Sequence, residues 1–130
     1  MNTKFLMISS SIFMCLIGIG CTFAPEEILS RAGLQIQELS TLLIQVLGAL
    51  YLSFAILNWT AKSNLIGGIY SKPVSLGNFL HFVLVTITLG KYYSNHLSDT
   101  LLIMPLTIYF VFAVAFGLVS FGRHEFYKKT

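Results

Sequence analysis

Five polar side chains fall within or at the margins of otherwise apolar runs and could do chemistry: Gln45, Asn58, His81, Thr88 and Lys91. His81, Thr88 and Lys91 are spaced so that a helix carries them on one broad face. Inside a bilayer such a face could line a polar pathway for a small solute or ion. The competing reading places His81 at the interface and lets Lys91 lay its stem along apolar surface while its ammonium reaches the headgroups. Asn58 closes one apolar run and His81 opens the next, so an antiparallel pair puts them at similar depth. There an amide and an imidazole can clasp two helices together or read a polar head group.

Enzyme templates do not assemble around these residues. A lone intramembrane histidine cannot supply paired axial ligands to a haem, and no His, Cys or acidic cluster has metal-ligand spacing. The spans carry no carboxylate for proton coupling or general acid–base work. Ser and Thr are plentiful, but without a base at workable spacing they read as backbone hydrogen-bonders. The Gly-Gly of LIGGIY lacks the G-K-[ST] that opens a phosphate-binding helix. No catalytic residue, cofactor or metal is assigned.

The elements that must position these residues follow from composition. The 130-residue chain is 55% hydrophobic and 10% charged, with a mean hydropathy of +0.79, whereas a soluble domain carries about 25% charged residues. An all-α polytopic membrane protein follows, a single transmembrane domain over 1–130 with room for four helices of about 20 residues. The spans are read at about 5–24, 39–60, 76–93 and 100–121. The first resembles a signal peptide at its start, but no A-x-A-like site follows it. Gly18 also occupies the place where a lipoprotein signal carries an aliphatic residue before Cys21, so the run is read as a retained helix. Cys15 and Cys21 lie about 120° apart around that helix and cannot pair with each other. PEEILSRAGLQIQE reads as a short interfacial helix, with Pro25 at its first position, Glu26 and Glu27 at the positive end of its dipole and Gly33 closing it. Pro105 is expected to kink the fourth span and release the carbonyl of Leu101.

Charge sets the orientation. With a cytoplasmic N-terminus, the inner side holds Lys4, Lys62, Lys72, Arg123, Lys128 and Lys129, and the outer side only Arg31 and Lys91, a clear positive-inside bias. Both termini are then cytoplasmic. The basic residues are scattered at the ends of apolar runs, so no nucleic-acid surface is present. Residues 61–75 form the single inner loop. It is longer than a minimal helix connection; Gly67, Gly68 and Pro73 shape its backbone, and Tyr70 lies between Lys62 and Lys72. This suits a segment lying along anionic headgroups as a lid or a docking surface for a partner, or as a plain interfacial connector.

Helices in lipid associate through close packing at small residues and through hydrogen bonds. Ser11, Cys15, Gly18 and Thr22 form one seam, Gly48, Tyr51, Ala55 and Asn58 a second, and Ala113 with Gly117 a small-x-x-x-small pair. A four-helix bundle is expected.

The order GALYLSFAILNW, then GGIYSKPVSLGNF, then two further spans resembles the small bacterial four-helix membrane proteins grouped as DoxX-like. The resemblance implies an inner-membrane bundle with cytoplasmic termini that acts as a non-enzymatic accessory or scaffold subunit for another membrane protein or by self-association. It carries over no site residue. The alternatives are a small oligomeric transporter or channel using the His81, Thr88 and Lys91 face, and a lipid- or quinone-binding protein.

Overall fold

The first helix, α1 (Thr3–Phe23), runs through 21 residues in which Lys4 is the single charge and no proline intervenes. It ends because Pro25 disfavours helical angles at the residue before it, and Ala24 takes φ −132° and ψ 48°. The computed structural model describes residues 3–63, 70–95 and 102–122. The chain divides into two compact units, Met1–Asn64 and Leu65–Thr130, each described by itself.

In the first unit α2 (Pro25–Arg31) begins with Pro25, as the sequence predicts, and carries Glu26 and Glu27 in its first turn. Its Glu27–Arg31 pair, 2.9 Å apart, is exposed and stabilises little. Gly33 adopts φ +68°. Gly33 donates its N–H to Ser30 and Leu34 donates to Leu29, the two bonds of a Schellman ending. The chain then turns into α3 (Glu38–Ala61) through a capping box in which Gln37 N–H donates to Ser40 Oγ at 3.0 Å.

α1 and α3 run antiparallel along the two small-residue seams read from the sequence. The Ser11 hydroxyl donates to the Ala55 carbonyl at 2.7 Å. Gly18 lies against Gly48 and Leu52, and Gly48 against Thr22 and Cys21. Backbones approach this closely only where side chains are absent, which is how helices gain packing when hydrocarbon surrounds them. Both cysteines are free thiols.

The second unit pairs α4 (Lys72–Asn95) with α5 (Ile103–Phe121). α4 starts four residues before the expected span, so Lys72 and Pro73 belong to its first turn rather than to the connecting loop. Proline fits there because the first-turn N–H groups have no intrahelical acceptor. The same reason corrects the expected kink: Pro105 is the third residue of α5, where it starts the helix instead of bending it. Leu101, whose carbonyl was to be freed, lies outside the described residues. The core of this pair is aromatic. Phe82 is fully buried and stacks on Phe112 and Phe116, with centroids 4.9 and 5.6 Å away. Gly117 makes room for the Phe79 ring, which would lie 3.1 Å from an added Cβ. Ala113 is buried as well.

α1, α3, α4 and α5 are long and apolar enough to cross a membrane, and all four expected spans are present as helices.

Candidate functional site

Asn58 is the most constrained of the expected polar residues. It is fully buried near the end of α3, and its Nδ2 donates to Ser10 Oγ at 3.1 Å and lies 3.7 Å from Met14 Sδ. Ser10 in turn donates to the Met7 carbonyl at 3.1 Å. Sequence reasoning placed Asn58 on the seam but missed Ser10 and Met14 as its partners. The run Ser9–Ser10–Ser11 held the signal, because two adjacent hydroxyls on a helix point to different neighbours. Here Ser10 meets Asn58 while Ser11 meets Ala55.

The His81, Thr88 and Lys91 face is less unified. His81 is half-buried, with its ring 5.3 Å from Phe82 and 6.2 Å from Tyr109. Thr88 is exposed and returns its hydroxyl to the Leu84 carbonyl at 2.8 Å. Lys91 is exposed. One helix side thus carries all three, as spacing requires, but Thr88 satisfies its own backbone and His81 turns toward the rings of its own helix pair. The expected Asn58–His81 clasp would join residues of different units, and each residue is described within its own.

Gln45 is exposed on α3. It lines an open cleft of about 480 Å³ with Glu26, Gln37, Glu38 and Thr41, at the junction of α2 and α3. The cleft's walls are exposed side chains, so it is a surface depression without a desolvated anchor for a ligand.

At the expected inner loop, Lys62 caps α3 and places its Nζ 3.0 Å from the centre of the Trp59 ring. This cation–π contact joins two residues that the sequence marks as the water boundary. Tyr70 is 99% exposed. Lys72 and Pro73 are helical, as described above, and Gly67 and Gly68 lie outside the described residues. Two polar residues that sequence reasoning passed over, Ser75 and Asn78, are fully buried on α4. They fall with Ser71 and Phe82 on one stripe of 4-3-4 spacing. Ser75 Oγ donates to the Lys72 carbonyl at 3.0 Å and Asn78 Nδ2 to the Val74 carbonyl at 2.9 Å. The spacing is the available signal, but the expected boundary at 76 puts Ser71 and Ser75 in the loop and leaves only Asn78 and Phe82 in the span, so the stripe is cut in two.

Among the described residues no three His, Cys, Asp or Glu side chains gather as metal ligands. Two of the buried hydrogen bonds, Ser11 to the Ala55 carbonyl and Asn58 to Ser10, join α1 to α3, whereas Ser75 and Asn78 return theirs to the backbone of their own helix. Comparison with protein-family models, with characterised proteins and with solved structures finds no match for this chain.

Proposed function

We propose that this chain is a non-enzymatic accessory or scaffold subunit of a bacterial inner membrane that presents preformed helix pairs to another membrane protein. The observation that carries this reading is the use of polar side chains in the first unit. Asn58, Ser10 and Ser11 are spent on holding α1 to α3, where a transporter would aim such groups at a path for its substrate. The Lys62–Trp59 pair offers a partner an aromatic and basic contact at the membrane edge. The small-residue seams, by contrast, are already occupied within each helix pair, so a partner meets the outer apolar faces. The pattern resemblance to the DoxX-like proteins points the same way.

The deciding experiment is purification in mild detergent after cross-linking in cells. A recurrent partner or a defined homo-oligomer is expected, and a stable monomer with none overturns the reading. Should flux be detected in vesicles, His81→Leu and Lys91→Leu test the transport alternative: loss of flux in both would replace the scaffold reading.

The proposed orientation, with both termini in the cytoplasm, rests on the positive-inside bias. Single cysteines at Ser63 or Lys129, in a background lacking Cys15 and Cys21, are expected to resist an impermeant thiol reagent in intact cells and to react after lysis. Labelling of either in intact cells reverses the topology.

A further inference from the structure

Between α4 and α5 a groove of about 390 Å³ opens on the side of the helix pair. Phe79, Val83 and Thr86 of α4 and Phe110, Val114 and Gly117 of α5 line it. Gly117 leaves room in its wall for the Phe79 ring, and its rim is open because Phe110 and Val114 are 57% and 47% exposed. Thr86 brings the hydroxyl, and that hydroxyl donates to the Phe82 carbonyl at 2.7 Å. The groove therefore asks for hydrocarbon and offers no hydrogen-bond donor to a polar ligand.

A second observation identifies what the hydrocarbon is attached to. Phe79 and Thr86 lie seven and fourteen residues beyond Lys72, so the three share one stripe of α4. Lys72 is exposed at the helix start, about 10 Å along the axis from Phe79 at 1.5 Å per residue. The groove then runs on to the level of Ile87, about 12 Å further. A cation at the helix end with an apolar channel beginning about 10 Å below it matches one leaflet of a bilayer, whose hydrocarbon half is about 15 Å deep. A phospholipid supplies both parts at this spacing, a phosphate for the lysine and a hydrocarbon chain for the groove.

We propose that the α4–α5 groove binds one acyl chain of an anionic phospholipid whose headgroup phosphate pairs with Lys72. The site does not depend on the accessory reading, since a scaffold, a transporter or a lipid-handling protein could each carry it.

The test uses the full chain in nanodiscs containing phosphatidylglycerol or phosphatidylcholine with the same mid-chain diazirine. After photolysis, insertion is mapped by mass spectrometry onto the α5 peptide. The wild type is expected to take up about fivefold more label from the anionic lipid, the ratio that one lysine near anionic headgroups supplies. Lys72→Gln should bring that ratio close to one while leaving the phosphatidylcholine signal in place. Val114→Trp, which fills the groove from its exposed rim, should reduce labelling by both lipids, with circular dichroism confirming unchanged helix content. Equal labelling by the two lipids in the wild type, which is ordinary boundary contact, overturns the proposal. So does wild-type labelling in folded Val114→Trp. If Val114→Trp does not fold, Lys72→Gln alone decides, and an unchanged lipid ratio in it overturns the headgroup pairing and the proposal with it.

Discussion

Replacing Gly48 with alanine is expected to destabilise the chain by about 1–3 kcal/mol, the usual cost of forcing extra atoms into a packed interface. The same replacement at Gly77 is expected to stabilise it by up to about 1 kcal/mol, the helix-propensity difference between the two residues. The contrast arises from what each new methyl group would meet. At Gly48 it would meet the Thr22 hydroxyl oxygen, with the Thr22 backbone nitrogen at 2.8 Å and Cys21 Cβ at 3.0 Å. A hydroxyl can rotate away, but a helix backbone cannot, so α1 and α3 must separate. At Gly77 nothing lies within 4 Å. Separation would also stretch the Ser11–Ala55 hydrogen bond. Thermal or denaturant unfolding in detergent measures both variants, and equal effects at the two glycines would show that the seam is not what holds the first unit.

Asn58→Asp should cost about 3 kcal/mol, because it replaces the donor to Ser10 with a fully buried carboxylate, and a buried group left without its partner costs about 1–3 kcal/mol, more when charged. Asn58→Leu should cost only about 1 kcal/mol. It removes the bond to Ser10, and interhelical hydrogen bonds in membranes contribute on the order of 0.6 kcal/mol. Ser10 keeps its own bond to the Met7 carbonyl, so no orphaned hydroxyl adds to the loss. The ordering is the test. If leucine proves worse than aspartate, shape rather than polarity governs the position. Measured stability in detergent and steady-state level in the membrane should rank the variants alike.

Much of this architecture could be read from residue types. Long apolar runs locate the four helices, and the 4-3-4 spacing of Ser11, Cys15, Gly18 and Thr22 against Gly48, Tyr51, Ala55 and Asn58 marks the surfaces by which α1 and α3 meet. Gly33 was legible for a local reason: only a residue without a Cβ closes a helix at positive φ at no steric cost. Prolines were harder, since the effect of one depends on its distance from the helix start. Pro25 was placed correctly, whereas Pro73 and Pro105 were assigned to a loop and to a helix interior, and both stand in first turns. A three- or four-residue error in a boundary inverts what proline does. The partners of Asn58 were hidden for another reason. Periodicity shows which face of a helix is polar but not which side chain on the opposing helix stands at the same height, and that register set Ser10 and Met14 beside it. The α4–α5 groove was visible only in part, through Ala113 and Gly117, because a void depends on the rings around it as much as on the small residues that permit it.

The division into two helix pairs bears on how the protein is made. Every contact described for the α1–α3 seam lies within the first 64 residues, and chains generally fold unit by unit from the N-terminus as they are synthesised. The seam can therefore close while the ribosome is still adding α4, and the buried amide of Asn58 need not wait unpaired for the rest of the chain. Ser10 and Met14 have already been synthesised when it arrives. The order of the helices along the chain thus serves biogenesis: the most polar buried side chain of the first unit enters last, after its acceptor is in place.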